Sequence, residues 1–242
     1  MKKISILRIK QSFEHGDSME YKFSVETHSP TDTLVQRLIQ RYGGGTANIT
    51  VAYLRIKDNA GTVLGQASVS SSDWSDHEIT KSVTISTAGT VYAFTLESSD
   101  GAELFRYNVP SPFSVSLGDT ISITWRIGIS LGTNCKAVYH VLENIEGTAS
   151  VTNLKANGIA LYYGGTLKKT FDPSNSTIVT DINDIEGWFQ MQVTFTSDIT
   201  FDFDEIRIIN PDGVDLIAVS GSGSVSSGVE TTITIKVTVL KG

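Results

Sequence analysis

The sequence predicts an all-β protein: two related antiparallel β-sandwich domains of jelly-roll-like type in tandem, with one short helix near the N-terminus. Three observations predict it. Apolar and polar residues alternate with period two through most of the 242 residues. Glycine-bearing turns separate the alternating runs. A set of these runs recurs in the same order in each half of the chain.

The alternation is clearest where Ile121, Ile123, Trp125, Ile127 and Ile129 share one face and Ser122, Thr124, Arg126 and Gly128 the other. A strand with one face in a core and one in water needs this pattern. The C-terminal run repeats it, with Ile233, Ile235, Val237 and Val239 set against Thr232, Thr234, Lys236 and Thr238. Valine, isoleucine, threonine and aromatic residues dominate such runs, which suits a pleated, half-buried surface. One segment has a different period. Ser29-Pro30 supplies a cap and a first-turn proline, Leu34, Val35, Leu38 and Ile39 recur at helical spacing, and Gly43-Gly44-Gly45 ends the run. This predicts a helix over residues 30–42 that plugs one end of the first sandwich.

The repeat begins with three turns. An aliphatic residue is followed five residues later by glycine and eight later by leucine at Ile56…Gly61…Leu64, Leu96…Gly101…Leu104 and Ile208…Gly213…Leu216. Each unit is expected to be a hairpin, with Asp-Gly supplying positive φ angles. Tyr162-Tyr163-Gly164-Gly165 predicts a fourth. The glycines at 101 and 213 are 112 residues apart, while Val83-Thr84-Ile85 and Val193-Thr194-Phe195, like Val115…Gly118 and Val225…Gly228, are 110 apart. These matches predict a first sandwich over residues 1–147, carrying an N-terminal extension and the helix, and a second over 148–242. A single large β-domain with chemically similar hairpins is the alternative.

Composition narrows the function classes. Nineteen Lys and Arg against 26 Asp and Glu give a net charge of −7, with no basic block. Nucleic acid demands a concentrated cationic surface, so it is not an expected partner. No stretch reaches the ~20 apolar residues of a membrane helix. Residues 1–10 lack the pattern of a signal peptide, because Arg8 and Lys10 break the apolar run, so synthesis in the cytoplasm is expected. Cys135 is the only cysteine, which leaves no intrachain disulfide.

Chemistry-bearing residues are scattered. His15, His28, His77 and His140 show no metal-ligand spacing. The first three are expected at the surface and His140 within a strand. Cys135 has no adjacent base. The serines of residues 220–227 alternate with glycine and valine and predict a flexible turn. No phosphate-binding or dinucleotide fingerprint occurs, so no cofactor and no catalytic residue is expected. Asp181, Asp184 and Glu186 share one short loop whose oxygens are of the type that binds Ca²⁺, although the ligand count is short. Asp202, Asp204 and Glu205 alternate with Phe201 and Phe203, as on the wet face of a strand. Trp125 belongs to the apolar register. Trp74, in the polar stretch Ser71-Ser72-Asp73-Trp74-Ser75-Asp76, is the candidate exposed aromatic for ligand or partner contact.

The stretch from Thr90 to Ile129, and within it Gly118-Asp119-Thr120-Ile121-Ser122-Ile123-Thr124-Trp125, resembles the way small structural proteins of bacterial and archaeal viruses end a β-domain. The second copy departs from it, with Gly228-Val229-Glu230 and with Ile235 in place of the tryptophan. The resemblance implies a virion structural protein (capsid, decoration, turret or tail) that assembles as a homo-oligomer and with other virion proteins. It carries no catalytic residues. The alternative is a carbohydrate- or receptor-binding module that meets a host-surface glycan through Trp74. A hydrolase on the same scaffold would need two carboxylates facing each other across a cleft.

Overall fold

A computed structural model describes residues 11–14, 20–25, 29–129, 131–132 and 134–239, with side chains from residue 30 onward. Lys2, Lys3, Arg8, Lys10, His15 and His28 lie outside the described residues. In chain order the first half contains β1 (Gln11–Glu14), β2 (Glu20–Val25), β3 (Ser29–Pro30), α1 (Asp32–Tyr42), β4 (Val51–Lys57), β5 (Val63–Ser68), β6 (Trp74–Ser75), β7 (Glu78–Thr84), β8 (Gly89–Ser98), β9 (Glu103–Val115) and β10 (Thr120–Arg126). The second half contains β11 (Cys135–Val138), α2 (Val141–Glu146), β12 (Gly158–Tyr163), β13 (Thr166–Phe171), β14 (Thr177–Asn183), β15 (Trp188–Thr196), β16 (Phe201–Ile209), β17 (Asp215–Val225) and β18 (Glu230–Thr238).

The protein is all-β, and its strands form four sheets. Sheet A has the order β1-β2-β10-β7-β6 and sheet B the order β3-β9-β8-β4-β5. Sheet C has the order β11-β17-β16-β12-β13 and sheet D the order β14-β15-β18. Sheets B and C follow the same path, position for position. Sheet D matches the β6-β7-β10 part of sheet A. Among the described strand pairs only β2 with β10 is parallel, alongside an isolated parallel bridge between Ser197 and Ser227. β11 pairs with β17, so residues 135–138 join the second set of sheets although they precede residue 148.

The three related turns share one construction. Gly61, Gly101 and Gly213 have φ of +84°, +80° and +75°, and each donates its N–H to the carbonyl three residues back. The residues before them, Ala60, Asp100 and Asp212, are not in the left-handed region. The loops are therefore type I turns closed by a glycine bulge, not the two-residue turns expected from Asp-Gly. At the ends of the copies, Gly118 donates to Ile85 O and Gly228 to Ser197 O. That bond aligns Ile85 with Ser197, and hence Val83 with Phe195 rather than with Val193. The separation is then 112 residues from β7 to the start of β9, and 110 afterwards. The two-residue difference lies in β9, which has 13 residues against 11 in β17.

Residues 220–227 are not a flexible turn, because β17 runs through residue 225. Their glycines have a packing reason. A Cβ on Gly223 would lie 2.8 Å from the Phe203 ring, and one on Gly221 3.0 Å from Ile206.

α1 starts later than expected. Thr31, not Ser29, is its cap and accepts the Leu34 N–H at 3.2 Å, while Pro30 pairs with Phe105 in β3. Nor does α1 plug one end of the first sandwich. It lies between the two, where Tyr42 stacks on Phe189 at 4.9 Å and its carbonyl accepts the Ala156 N–H. Gln40 Nε2 donates to Asp184 at 2.8 Å, and Arg41 reaches Thr152 O. One continuous core results, from Leu54, Phe94 and Trp125 in the first half to Phe189, Met191 and Ile208 in the second, all of them 0% accessible.

Phe189→Ala should cost about 3–5 kcal/mol, since it opens a void between the halves. Urea unfolding followed by tryptophan fluorescence measures it.

Candidate functional site

Trp74 is not the exposed aromatic that its polar neighbours suggest. It is 9% accessible and belongs to the core. Ser70 donates its N–H and its hydroxyl to Asp73, both at 2.8 Å, and tightens the turn at Ser71–Asp73. The chain then enters β6, where Trp74 pairs with Ile79, and Ile79 pairs on its other side with Trp125. The two indoles flank Ile79 across sheet A. Burying so large a ring outweighs solvating one N–H. Neither indole N–H has a hydrogen-bond partner among the described residues.

The histidines are structural at the two described positions. The turn from β6 to β7 is Asp76-His77, with φ of +49° and +61°. His77 Nδ1 lies 2.5 Å from the carboxylate of Glu146, which is 5% accessible. His140 is not a strand residue. It adopts φ +65° and precedes α2, a helix the alternation did not predict, and its carbonyl accepts from the Asn144 amide at 2.6 Å. Both contacts tie α2 to its surroundings, since Thr50 Oγ1 also donates to Asn144 O at 2.8 Å.

The loop carboxylates diverge. Asp184 accepts from Gln40, Glu186 accepts from Trp188 Nε1 at 2.7 Å, and Asp181 lies exposed on β14. Asp202 accepts from Ser224, Asp204 from the Gly164 N–H at 3.0 Å, and Glu205 from Lys136 and Arg207, both at 2.7 Å. Among the described residues no three His, Cys, Asp or Glu side chains are placed to share a metal ion.

Two features were not legible as sites in the sequence. The first is an ionic cluster on the outer face of sheet B. Glu97 is 0% accessible, with Arg55 at 2.5 Å, Lys57 at 2.6 Å and Thr95 Oγ1 at 2.7 Å. Lys57 also reaches Glu103 at 2.8 Å. Burial works against the Lys57 ammonium, but Glu103 and Glu97 outweigh it and raise its pKa. The Arg55 guanidinium lies over the Tyr53 ring at 4.8 Å and helps to cover the carboxylate. In the sequence these residues form the polar half of two alternating strands. Only the register of β4 on β8 brings them together.

The second feature is a cavity of about 350 Å³ at the seam of the two halves. Leu34 and Leu38 of α1, Phe105, Val141 of α2, Ile217 and Val237 form much of its wall. Cys135 also lines it. Burial raises the Cys135 thiol pKa, and the Sγ donates to Ala137 O at 3.5 Å. Burial likewise raises the pKa of the Tyr42 phenol. The wall is mostly apolar, with Asn134, Lys236 and Thr238 also among its lining residues.

Glu97→Ala should cost about 3 kcal/mol, the lower end for a broken buried pair, because Arg55 loses the Glu97 carboxylate while Lys57 keeps Glu103, as denaturant unfolding will measure. Lys81 at 2.6 Å, then the Ser70 N–H and hydroxyl, hold Asp73 down to about 2. A depressed carboxylate contributes fully above its unfolded value of about 3.9 and loses that contribution as the pH falls through the folded one. Asp73→Asn should therefore lower the melting temperature at pH 7 and make it less sensitive to acid below about pH 4, as thermal melts across that range will show.

No protein-family model, no curated protein and no solved structure matches this chain.

Proposed function

We propose that the chain is a non-enzymatic structural subunit of a virus particle, a capsid, decoration, turret or tail component that assembles through its sandwiches. The observation that carries the reading is the duplicated sheet path. Sheets B and C repeat strand for strand, and a single helix packs between the copies. The folding of the virus-like stretch agrees with a structural role. Gly118 has φ +89°, the Asp119 carboxylate accepts the Ser116 N–H at 2.7 Å, and Ile121, Ile123 and Trp125 are all 0% accessible. Those residues are spent on a turn and a core strand. The polar groups with the means for chemistry are likewise engaged within the chain: Glu97 by Arg55 and Lys57, Glu205 by Lys136 and Arg207, His77 by Glu146. The glycan-binding alternative rested on an exposed Trp74 and has lost that support.

Mass spectrometry of virus particles purified from cells that produce the chain tests the proposal, together with sedimentation of the pure protein. The chain should be present at fixed stoichiometry and sediment as an oligomer. Absence from particles, with a monomer at high concentration, rejects it.

A further inference from the structure

The duplication exposes one strand that its counterpart does not. In sheet A, β10 is paired on both sides, by β7 and by the parallel strand β2. In sheet D its counterpart β18 pairs with β15 alone among the described strands. The equivalence rests on matching turns, since Asp119 N–H donates to Ser116 O and Val229 N–H to Ser226 O. Burial follows the difference in part. Ile123 of β10 is fully buried and its counterpart Ile233 half-buried, while Ile235, the counterpart of Trp125, stays buried at 6%.

The open edge is regular over nine residues. Its register with β15 runs from Trp188 opposite Thr238 to Thr196 opposite Glu230 without a bulge. Val239 donates its N–H to Gly187 O at 2.8 Å. Antiparallel alternation then turns the N–H and C=O of Glu230, Thr232, Thr234, Lys236 and Thr238 to the open side. A row of unpaired backbone groups of this kind is a template for another strand.

We infer that β18 pairs edge to edge with β18 of a second copy of this chain, antiparallel, with Ile233 opposite Ile233 on a two-fold axis. Charge sets that register. Glu230 and Lys236 are exposed and on the same face, no ion pair among the described residues engages either, and the Lys236 ammonium lies 4.0 Å from the centre of the Trp188 ring. Six residues of strand hold them about 20 Å apart, too far to meet within one chain. With Ile233 at the centre, Glu230 of each copy faces Lys236 of the other, so the axis makes two ion pairs. Thr232 faces Thr234 of the second copy. Val237 faces Val229 of the second copy, and Val229 is 54% exposed in the single chain. The even-numbered residues meet each other, as the free backbone groups require. A shift of two residues along the edge breaks both ion pairs. The contact is isologous and closes, making one six-stranded sheet from two copies of sheet D.

The pairing specifies an interface for the assembly proposed above, yet it stands on the open edge and not on the particle. Analytical ultracentrifugation of the full chain tests it. The protein should sediment as a dimer. Glu230→Lys, which sets like charges opposite each other twice, should weaken the dimer about tenfold or more with an unchanged circular-dichroism melt. The charge swap of Glu230→Lys with Lys236→Glu should restore it. In a Cys135→Ser background, Ile233→Cys should oxidise to a covalent dimer, because a directly opposed pair that is not hydrogen-bonded has its Cα atoms about 4.5 Å apart. A monomeric protein overturns the inference, and that includes a monomer whose own residues 1–10 cover the edge. So does a dimer that is indifferent to both charge reversals and gives no disulfide cross-link in the Ile233→Cys variant. A charge-sensitive dimer that is missing from particles upholds the edge pairing and rejects the particle role. Particles built equally well from Glu230→Lys chains, with no dimer in solution, do the reverse.

Discussion

Most of the described strands have one face that water disfavours, and the architecture follows from hiding those faces in pairs. Sheet A covers sheet B and sheet D covers sheet C, each pair with a core of period-two side chains between them. The same requirement acts once more at the seam. α1 presents Leu34, Val35, Leu38, Ile39 and Tyr42 as a buried stripe, and the second half supplies Phe189 to meet it. Two sandwiches thereby become one body with a shared core. Hydrophobic burial scales with area removed from water, so a helix buried on its apolar face between two sheet stacks stabilises both.

Charge is arranged around that core rather than in a site. Glu97, Arg55 and Lys57 form a cluster on the outer face of sheet B, and Glu205, Arg207, Asp215 and Lys136 form another on sheet C. In both, an arginine lies over a tyrosine, Arg55 over Tyr53 and Arg207 over Tyr162 at 4.0 Å. The Glu97 pairs are buried and the sheet C pairs partly exposed; pairs of this kind are weak sources of net stability but constrain register, because a shift would part their members. They hold β4 to β8 and β16 to β17 in the one alignment that satisfies every charge.

The period of a strand is a local property, and so the strands and their inward faces were legible. Ile121, Ile123 and Trp125 lie fully buried where the alternation puts them. The hairpins were legible for the same reason, since a glycine with positive φ must sit at the turn. Trp74 was misread because its neighbours in sequence are polar, while its neighbours in space, across β7, are Ile79 and Trp125. His140 was misread because a left-handed residue before a six-residue helix leaves no periodic trace. The acidic loop was grouped by sequence alone. Gln40 and Trp188 draw Asp184 and Glu186 apart, and neither partner could be assigned to them before the fold was known.

By itself, the sequence determined that this chain is all-β, that its turns recur, and which side of each strand is apolar. Those features depend on residues a few positions apart, whose spacing the backbone geometry converts directly into faces and bends. Only the tertiary structure decided that β2 runs beside β10 while β18 pairs with β15 alone among the described strands, that α1 lies between the sandwiches, and that Glu97 is buried beneath two cations. Each of these depends on groups tens of residues apart in the chain. Their meeting is fixed by sheet order and register, which no local pattern encodes.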